Sequence, residues 1–143
     1  MSGRIDFLLA RTGGREIGLL VSDVIEVADL GTVHQVPATD PALRGVTWGR
    51  GALMPVLHLG AILAGGACPA EPSPLVLVAE LNGAPICLEI DEVDVVSQGE
   101  LLPVPAGETM PWAIAVVRRE NALLPILNLN ALRDRLAEAG TRA

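Results

Sequence analysis

The stretch Gly51-Ala-Leu-Met-Pro-Val-Leu-His-Leu-Gly-Ala-Ile62 returns later in the chain as Asn121-Ala-Leu-Leu-Pro-Ile-Leu-Asn-Leu-Asn-Ala-Leu132. At an offset of 70 residues, Ala52, Leu53, Pro55, Leu57, Leu59 and Ala61 recur as Ala122, Leu123, Pro125, Leu127, Leu129 and Ala131. A second pair lies upstream at an offset of 69. Gly14-Arg-Glu-Ile-Gly-Leu-Leu-Val21 is answered by Gly83-Ala-Pro-Ile-Cys-Leu-Glu-Ile90, and Asp23-Val24 by Glu92-Val93. Two blocks in the same order at nearly the same offset mark an internal duplication. The 143 residues suit a single domain. Its two similar halves, about 1–70 and 71–143, join through the Gly/Pro/Ala-rich segment Ala64 to Pro74.

Each half reads the same way. A β-forming apolar run (Ile5–Ala10 or Leu75–Glu80) meets a turn at Gly13-Gly14 or Asn82-Gly83, the latter a strong hairpin signal. A returning strand follows (Ile17–Val21 or Ile86–Ile90), and a third begins near Val24 or Val93. After a proline-bearing loop, a closing hairpin joins Leu43–Trp48 to Ala52–Val56, or Ala113–Arg118 to Ala122–Ile126. A short helix ends each half. In the second, Asn128 or Asn130 can cap it, Leu129, Leu132 and Leu136 share a face, and Gly140 can stop it. Five short strands in each half predict an all-β protein of two five-stranded antiparallel barrels, with short helices and a C-terminal helix. A half of that size is marginal alone, so the barrels should pack side by side.

Residues 51–70 carry no Asp, Glu, Lys or Arg and are nominally long enough to span a bilayer, at about 20 residues. The repeat excludes that reading. Its second copy runs through Asn128 and Asn130 into Arg133, Asp134 and Arg135, and two similar copies should share one fold. The first residues, Met1 to Asp6, lack the apolar core of a signal peptide. Cys68 and Cys87 lie in dissimilar settings and read as two reduced thiols of a cytoplasmic protein rather than a disulfide. A net charge of −7, with all ten basic residues Arg and none clustered, argues against nucleic acid and anionic membrane as partners. With one Phe, two Trp and no Tyr, the core must be aliphatic.

Catalytic chemistry finds no constellation. His34 and His58 lack Cys or carboxylate neighbours at metal-ligand spacing, and His58 is answered in the repeat by Asn128. There is no Gly-x-Ser-x-Gly elbow, no activated Cys context and no phosphate-cradling loop. Glu89, Asp91, Glu92 and Asp94 lack the spacing of a calcium loop, and strand alternation splits them between two faces, so they read as a solvated rim. No enzyme, metal or cofactor is therefore expected. Gly49-Arg50-Gly51 stands out instead, because glycines at a hairpin tip present one Arg clear of its neighbours, either as a solvated turn residue or as a forked donor for a partner carboxylate. Trp48 precedes it, as a core residue or an interface contact, and Glu26 interrupts the apolar run Val24 to Val27, as an outward-facing side chain or a partner contact.

Gly45-Val-Thr-Trp-Gly-Arg-Gly-Ala-Leu-Met-Pro-Val-Leu-His-Leu59 resembles the CheW-domain pattern Gly-Val-x-Asn-Leu-Arg-Gly-x-x-x-Pro-Val-x-Asp-Leu. Val21-Ser-Asp-Val-Ile-Glu-Val27 and Ile90-Asp-Glu-Val-Asp-Val-Val96 are similar to two further motifs of that family, and the resemblance runs from about Phe7 to Leu136. It implies two SH3-like barrels and a non-enzymatic adaptor at a receptor array. The first barrel would dock on the similar regulatory domain of a CheA-type histidine kinase, and the inter-barrel groove would take the cytoplasmic tip of a chemoreceptor. The family's Arg and Glu fall on Arg50 and Glu26, and its groove-lining apolar positions near Val78 and Val96. The partner-binding set is thus Glu26, Val27, Trp48, Gly49, Arg50, Gly51, Val78 and Val96. Trp48, Gly49 and His58 depart from the family's Asn, Leu and Asp, which points to a divergent member serving a non-flagellar system. The alternative is a double-barrel sensor that binds a small ligand in the cleft between halves.

Overall fold

The computed structural model describes residues 4–37, 40–107, 110–119 and 122–132, without the side chain of Val95. Strands β1 (Arg4–Thr12) and β2 (Arg15–Leu20) form a hairpin, and a 3-10 turn (Val21–Asp23) leads to β3 (Val24–Asp29) and β4 (Val33–His34). A second hairpin, β5 (Leu43–Gly49) and β6 (Ala52–His58), runs into helix α1 (Leu59–Ala64). The later half supplies β7 (Leu75–Leu81), β8 (Ala84–Ile90), β9 (Glu92–Leu102), β10 (Ala113–Arg119) and β11 (Ala122–Leu127). Residues 129–132 then begin a helix, whose predicted continuation through Leu136 to Gly140 lies outside the described residues. Three hairpins turn on two residues of positive φ, Gly13-Gly14, Arg50-Gly51 and Asn82-Gly83, as the twist of paired strands favours.

The all-β, two-barrel expectation holds. The strands do not, however, sort by halves as the boundary near residue 70 requires. The closed barrel runs β1-β2-β11-β10-β9, and the second sheet runs β3-β7-β8-β6-β5-β4. Each half thus lends its first hairpin to the other half's strands. The sheet of β3 to β8 is contiguous in sequence, residues 24–90, whereas the closed barrel joins residues 4–20 to residues 92–127. The two parallel pairings, β11 with β2 and β6 with β8, are the seams where a borrowed hairpin docks.

The duplication also explains why the second sheet has six strands rather than five. Ala10 pairs with Val93 on β9, and Ala79 pairs with Val24 on β3, one repeat offset apart. Leu101 of β9 pairs with Val117, while Val33 of β4 pairs with Thr47. β3 and β4 are therefore two pieces of one closing strand, broken at Leu30-Gly31-Thr32, that stays continuous as β9 in the other copy.

Among the described residues, alternation along the strands fills three apolar cores. Phe7, Leu9, Val117, Leu124 and Ile126 fill the closed barrel, and Met54, Val56, Val76, Val78 and Cys87 fill the second. The largest core lies outside both, where Ile17, Leu57, Leu77, Leu88, Ile90, Leu127 and Leu132 join the two sheets with α1. Several of these side chains are fully buried, and each contributes about 1.5–3 kcal/mol by leaving water, so the sheets hold each other. Among the described residues no helix is long and apolar enough to cross a membrane.

Candidate partner-binding site

The tip of the β5–β6 hairpin carries the residues singled out in the sequence. A two-residue turn at Arg50-Gly51 fixes the register, so Trp48 faces Leu53 and Gly49 faces Ala52 across the strands. Strand alternation sends Thr47 and Met54 inward and Trp48 and Leu53 outward. Trp48 is 68% exposed and Leu53 57%, a large apolar pair in water. Arg50 itself holds φ 50°, left-handed backbone that costs a non-glycine residue about 1–2 kcal/mol.

Arg50 does not project freely. Its Nη1 donates to Glu26 Oε2 at 3.0 Å, tying the hairpin tip to β3. β3 bulges between Val24 and Glu26 and leaves Ile25 and Val27 partly exposed. The ion pair therefore joins Glu26 to the tip residues Trp48, Gly49, Arg50 and Gly51, with Leu53 beside Trp48, while Val27, the next residue of β3, alternates to the other face of that strand. Leu53 was legible in principle, because counting back across a two-residue turn makes it the partner of Trp48.

Val78 and Val96 are not part of this surface. Val78 is 2% exposed and fills the interior of the second barrel against Met54, Val56 and Cys87, so its assignment as a groove-lining contact is corrected. It pairs with Glu26 along the β3–β7 ladder, and alternation turns its side chain inward. Val96 is 53% exposed, but on β9 of the closed barrel, opposite Leu8. It holds there the place that Val27 holds opposite Leu77.

The rim reading fails for Glu89, which is completely buried. Arg44 of β5 donates its Nε–H to Glu89 Oε2, and the Ser73 N–H donates to Oε1 at 2.9 Å. The Arg44 Nη1 also donates to the Pro69 carbonyl at 2.9 Å, so this ion pair fastens the segment between the halves. Asp91 accepts from the Gly13 N–H at 3.0 Å and from Ser73 Oγ at 3.3 Å. Glu92 and Asp94 lie within 3.5 Å of the Arg11 guanidinium. Among the described residues no three His, Cys, Asp or Glu side chains converge as a metal site.

His58 has a structural task. Its Nδ1 accepts from the Ala61 N–H at 2.9 Å and caps α1, just as Asn128 Oδ1 accepts from the Asn130 N–H at 3.1 Å in the second copy. Both thiols are free. Burial, and then the negative charge of Glu26, push Cys87 up to about 11. Burial likewise raises Cys68, against the opposing pull of Arg44. Between α1 and the start of the last helix lies an apolar groove of about 470 Å³, lined by Ile62, Leu63, Pro111, Trp112, Ala131 and Leu132. Among the described residues, its lining offers no charged or hydrogen-bonding side chain except the Trp112 indole.

Comparison with known proteins supports this architecture. Residues 6–137 match the CheW-like domain. The fold also matches the crystal structure of the scaffolding protein TtCheW from Thermoanaerobacter tengcongensis, with a TM-score of 0.76, over 89% of this chain and 86% of that one. Sequence identity in that match is 20%, so the likeness speaks to the fold. No curated protein matches the chain.

Proposed function

The chain belongs to the CheW-like domain family, and from that premise we propose that it is a non-enzymatic adaptor that couples chemoreceptors to a CheA-type histidine kinase. The observation that carries this reading is the Arg50 tip. An exposed ion pair contributes about 0–1 kcal/mol, no more than the left-handed turn at Arg50 costs. Stability therefore does not account for the arrangement. Presentation does, because the pair holds a guanidinium and a carboxylate in fixed positions beside Trp48 and Leu53. An exposed aromatic flanked by a fixed charge pair is the composition of an interface hot spot, where one Trp is worth about 2–4 kcal/mol.

The proposed first partner is the kinase regulatory domain, docking on Glu26, Val27, Trp48, Gly49, Arg50 and Gly51. Val96 on the closed barrel serves a second contact with the receptor's cytoplasmic tip. The protein then works in the cytoplasm at the receptor array, and Trp48 in place of the family's Asn suits a divergent, non-flagellar system. The net charge of −7 restrains non-specific association.

Co-purification and calorimetry with the kinase regulatory domain and with a receptor-tip fragment test the proposal. Binding at micromolar affinity is expected. Arg50→Glu should weaken kinase or receptor binding about tenfold or more without unfolding the chain. No binding by either partner at about tens of micromolar overturns the adaptor reading, at a free energy near −6 kcal/mol or weaker. A large, specific thermal shift with one metabolite would instead establish the sensor reading.

A further inference from the structure

The β1–β2 hairpin completes a barrel from a distance. It fills the slot between β9 and β11, while everything between hairpin and slot, residues 24–90, forms a sheet without it. We propose that this hairpin is an exchangeable element, and that two copies of the chain can trade it so that each closes the other's barrel.

Three observations carry this. The first is the specificity of the slot. β1 runs antiparallel to β9 from Arg4–Glu100 to Arg11–Glu92, and Gly18 of β2 meets Ile126 of β11. Phe7 lies between two glycines: a Cβ on Gly18 would sit 2.5 Å from Ile126 Cδ1 and 3.3 Å from the Phe7 ring, and one on Gly99 3.4 Å from that ring. Register and shape both select this hairpin, and a second copy offers the identical one.

The second is the apolar load. Phe7, Leu9, Ala10, Ile17 and Leu19 are all buried, so a released hairpin cannot remain in water and must dock in its own slot or in another copy's.

The third is the hinge. Only Val21, Ser22 and Asp23 join β2 to β3, as one 3-10 turn with no buried residue and no side-chain cap. Short hinges between packed elements invite exchange. Exchange keeps every strand pair of the monomer, so the balance rests on the hinge and on the cost of association.

Cross-linking decides it. Asp6 and Gln98 are cross-strand neighbours on β1 and β9, with Gln98 Nε2 donating to Asp6 Oδ1 at 2.9 Å. In a Cys68→Ser background, one chain carries Asp6→Cys and another Gln98→Cys. Unfolded together and refolded at about 100 µM, they should form a disulfide-linked heterodimer whose fraction rises with concentration, by mass action. A single chain carrying both substitutions is the control and should close an internal disulfide. Deleting Ser22 and Asp23 should raise the dimer fraction about tenfold by light scattering, and inserting a four-residue Gly/Ser segment after Ser22 should return it to monomer. If the control closes and the co-refolded single variants never cross-link, the proposal is overturned. A deletion variant that stays monomeric with a native spectrum overturns it too. The co-refolding arm does not depend on the deletion variant folding.

Discussion

Arg50 occupies a backbone conformation that Asn adopts at lower cost, as Asn82 does in the β7–β8 turn. Arg50→Asn should therefore leave the unfolding free energy unchanged or raise it by up to about 1 kcal/mol, while lowering affinity for the kinase regulatory domain about tenfold. Parallel losses of stability and binding would contradict this reading. His58 offers the opposite case. Asn128 performs the same capping in the second copy, so His58→Asn should preserve the fold, whereas His58→Ala should cost about 1–2 kcal/mol in urea titration. The place of Arg50-Gly51 at a hairpin tip was legible because turn signals are local. Val78 was misread because one family position says nothing about which face of β7 it lies on. The burial of Glu89 was hidden for a similar reason, since its partner Arg44 lies on another strand, 45 positions away.

Strands and turns were readable from alternation and from Gly13-Gly14 and Asn82-Gly83, but the pairing of hairpins with sheets was not. The two copies are similar in pattern, and each hairpin could dock with either half by periodicity alone. Side-chain volume distinguishes them. Phe7 and Gly18 on the first hairpin correspond to Val76 and Cys87 on the second, a large-small pair against a medium-medium pair. Gly18→Cys should destabilise by about 1–3 kcal/mol through overpacking. Phe7→Val should also destabilise, by leaving a void. The double variant, which copies the second hairpin, should recover about 1 kcal/mol or more of the summed loss in a double-mutant cycle. Strict additivity would show that the two positions do not share one packing unit.

Across the whole molecule, the second of the two sheets buries Cys87 in its own core, beside Met54 and Val56. Its thiol ionises only near 11 in the folded chain, against an ordinary 9.0. The sign follows from proton counting: below 9.0 neither state has lost the proton, and between 9.0 and about 11 the unfolded chain loses it first. Stability should be indifferent to this group at neutral pH and fall as pH rises through that window. Cys87→Ala should flatten the fall when denaturation midpoints are compared at pH 8 and pH 10.5. Disulfide exchange reagents at pH 8 should leave Cys87 untouched until the chain unfolds. Finally, the joining of residues 4–20 to 92–127 sets a timetable for synthesis. The contiguous sheet can form once β8 leaves the ribosome, but β1 and β2 must wait for β11. At about 5–20 residues per second, Phe7, Leu9, Ile17 and Leu19 stand without their final neighbours for roughly 5–20 s. The nascent chain thus carries an adhesive β1–β2 hairpin while the strands that cover it are still being made, and its yield in the cell should depend on whatever shields that hairpin until β9 to β11 arrive.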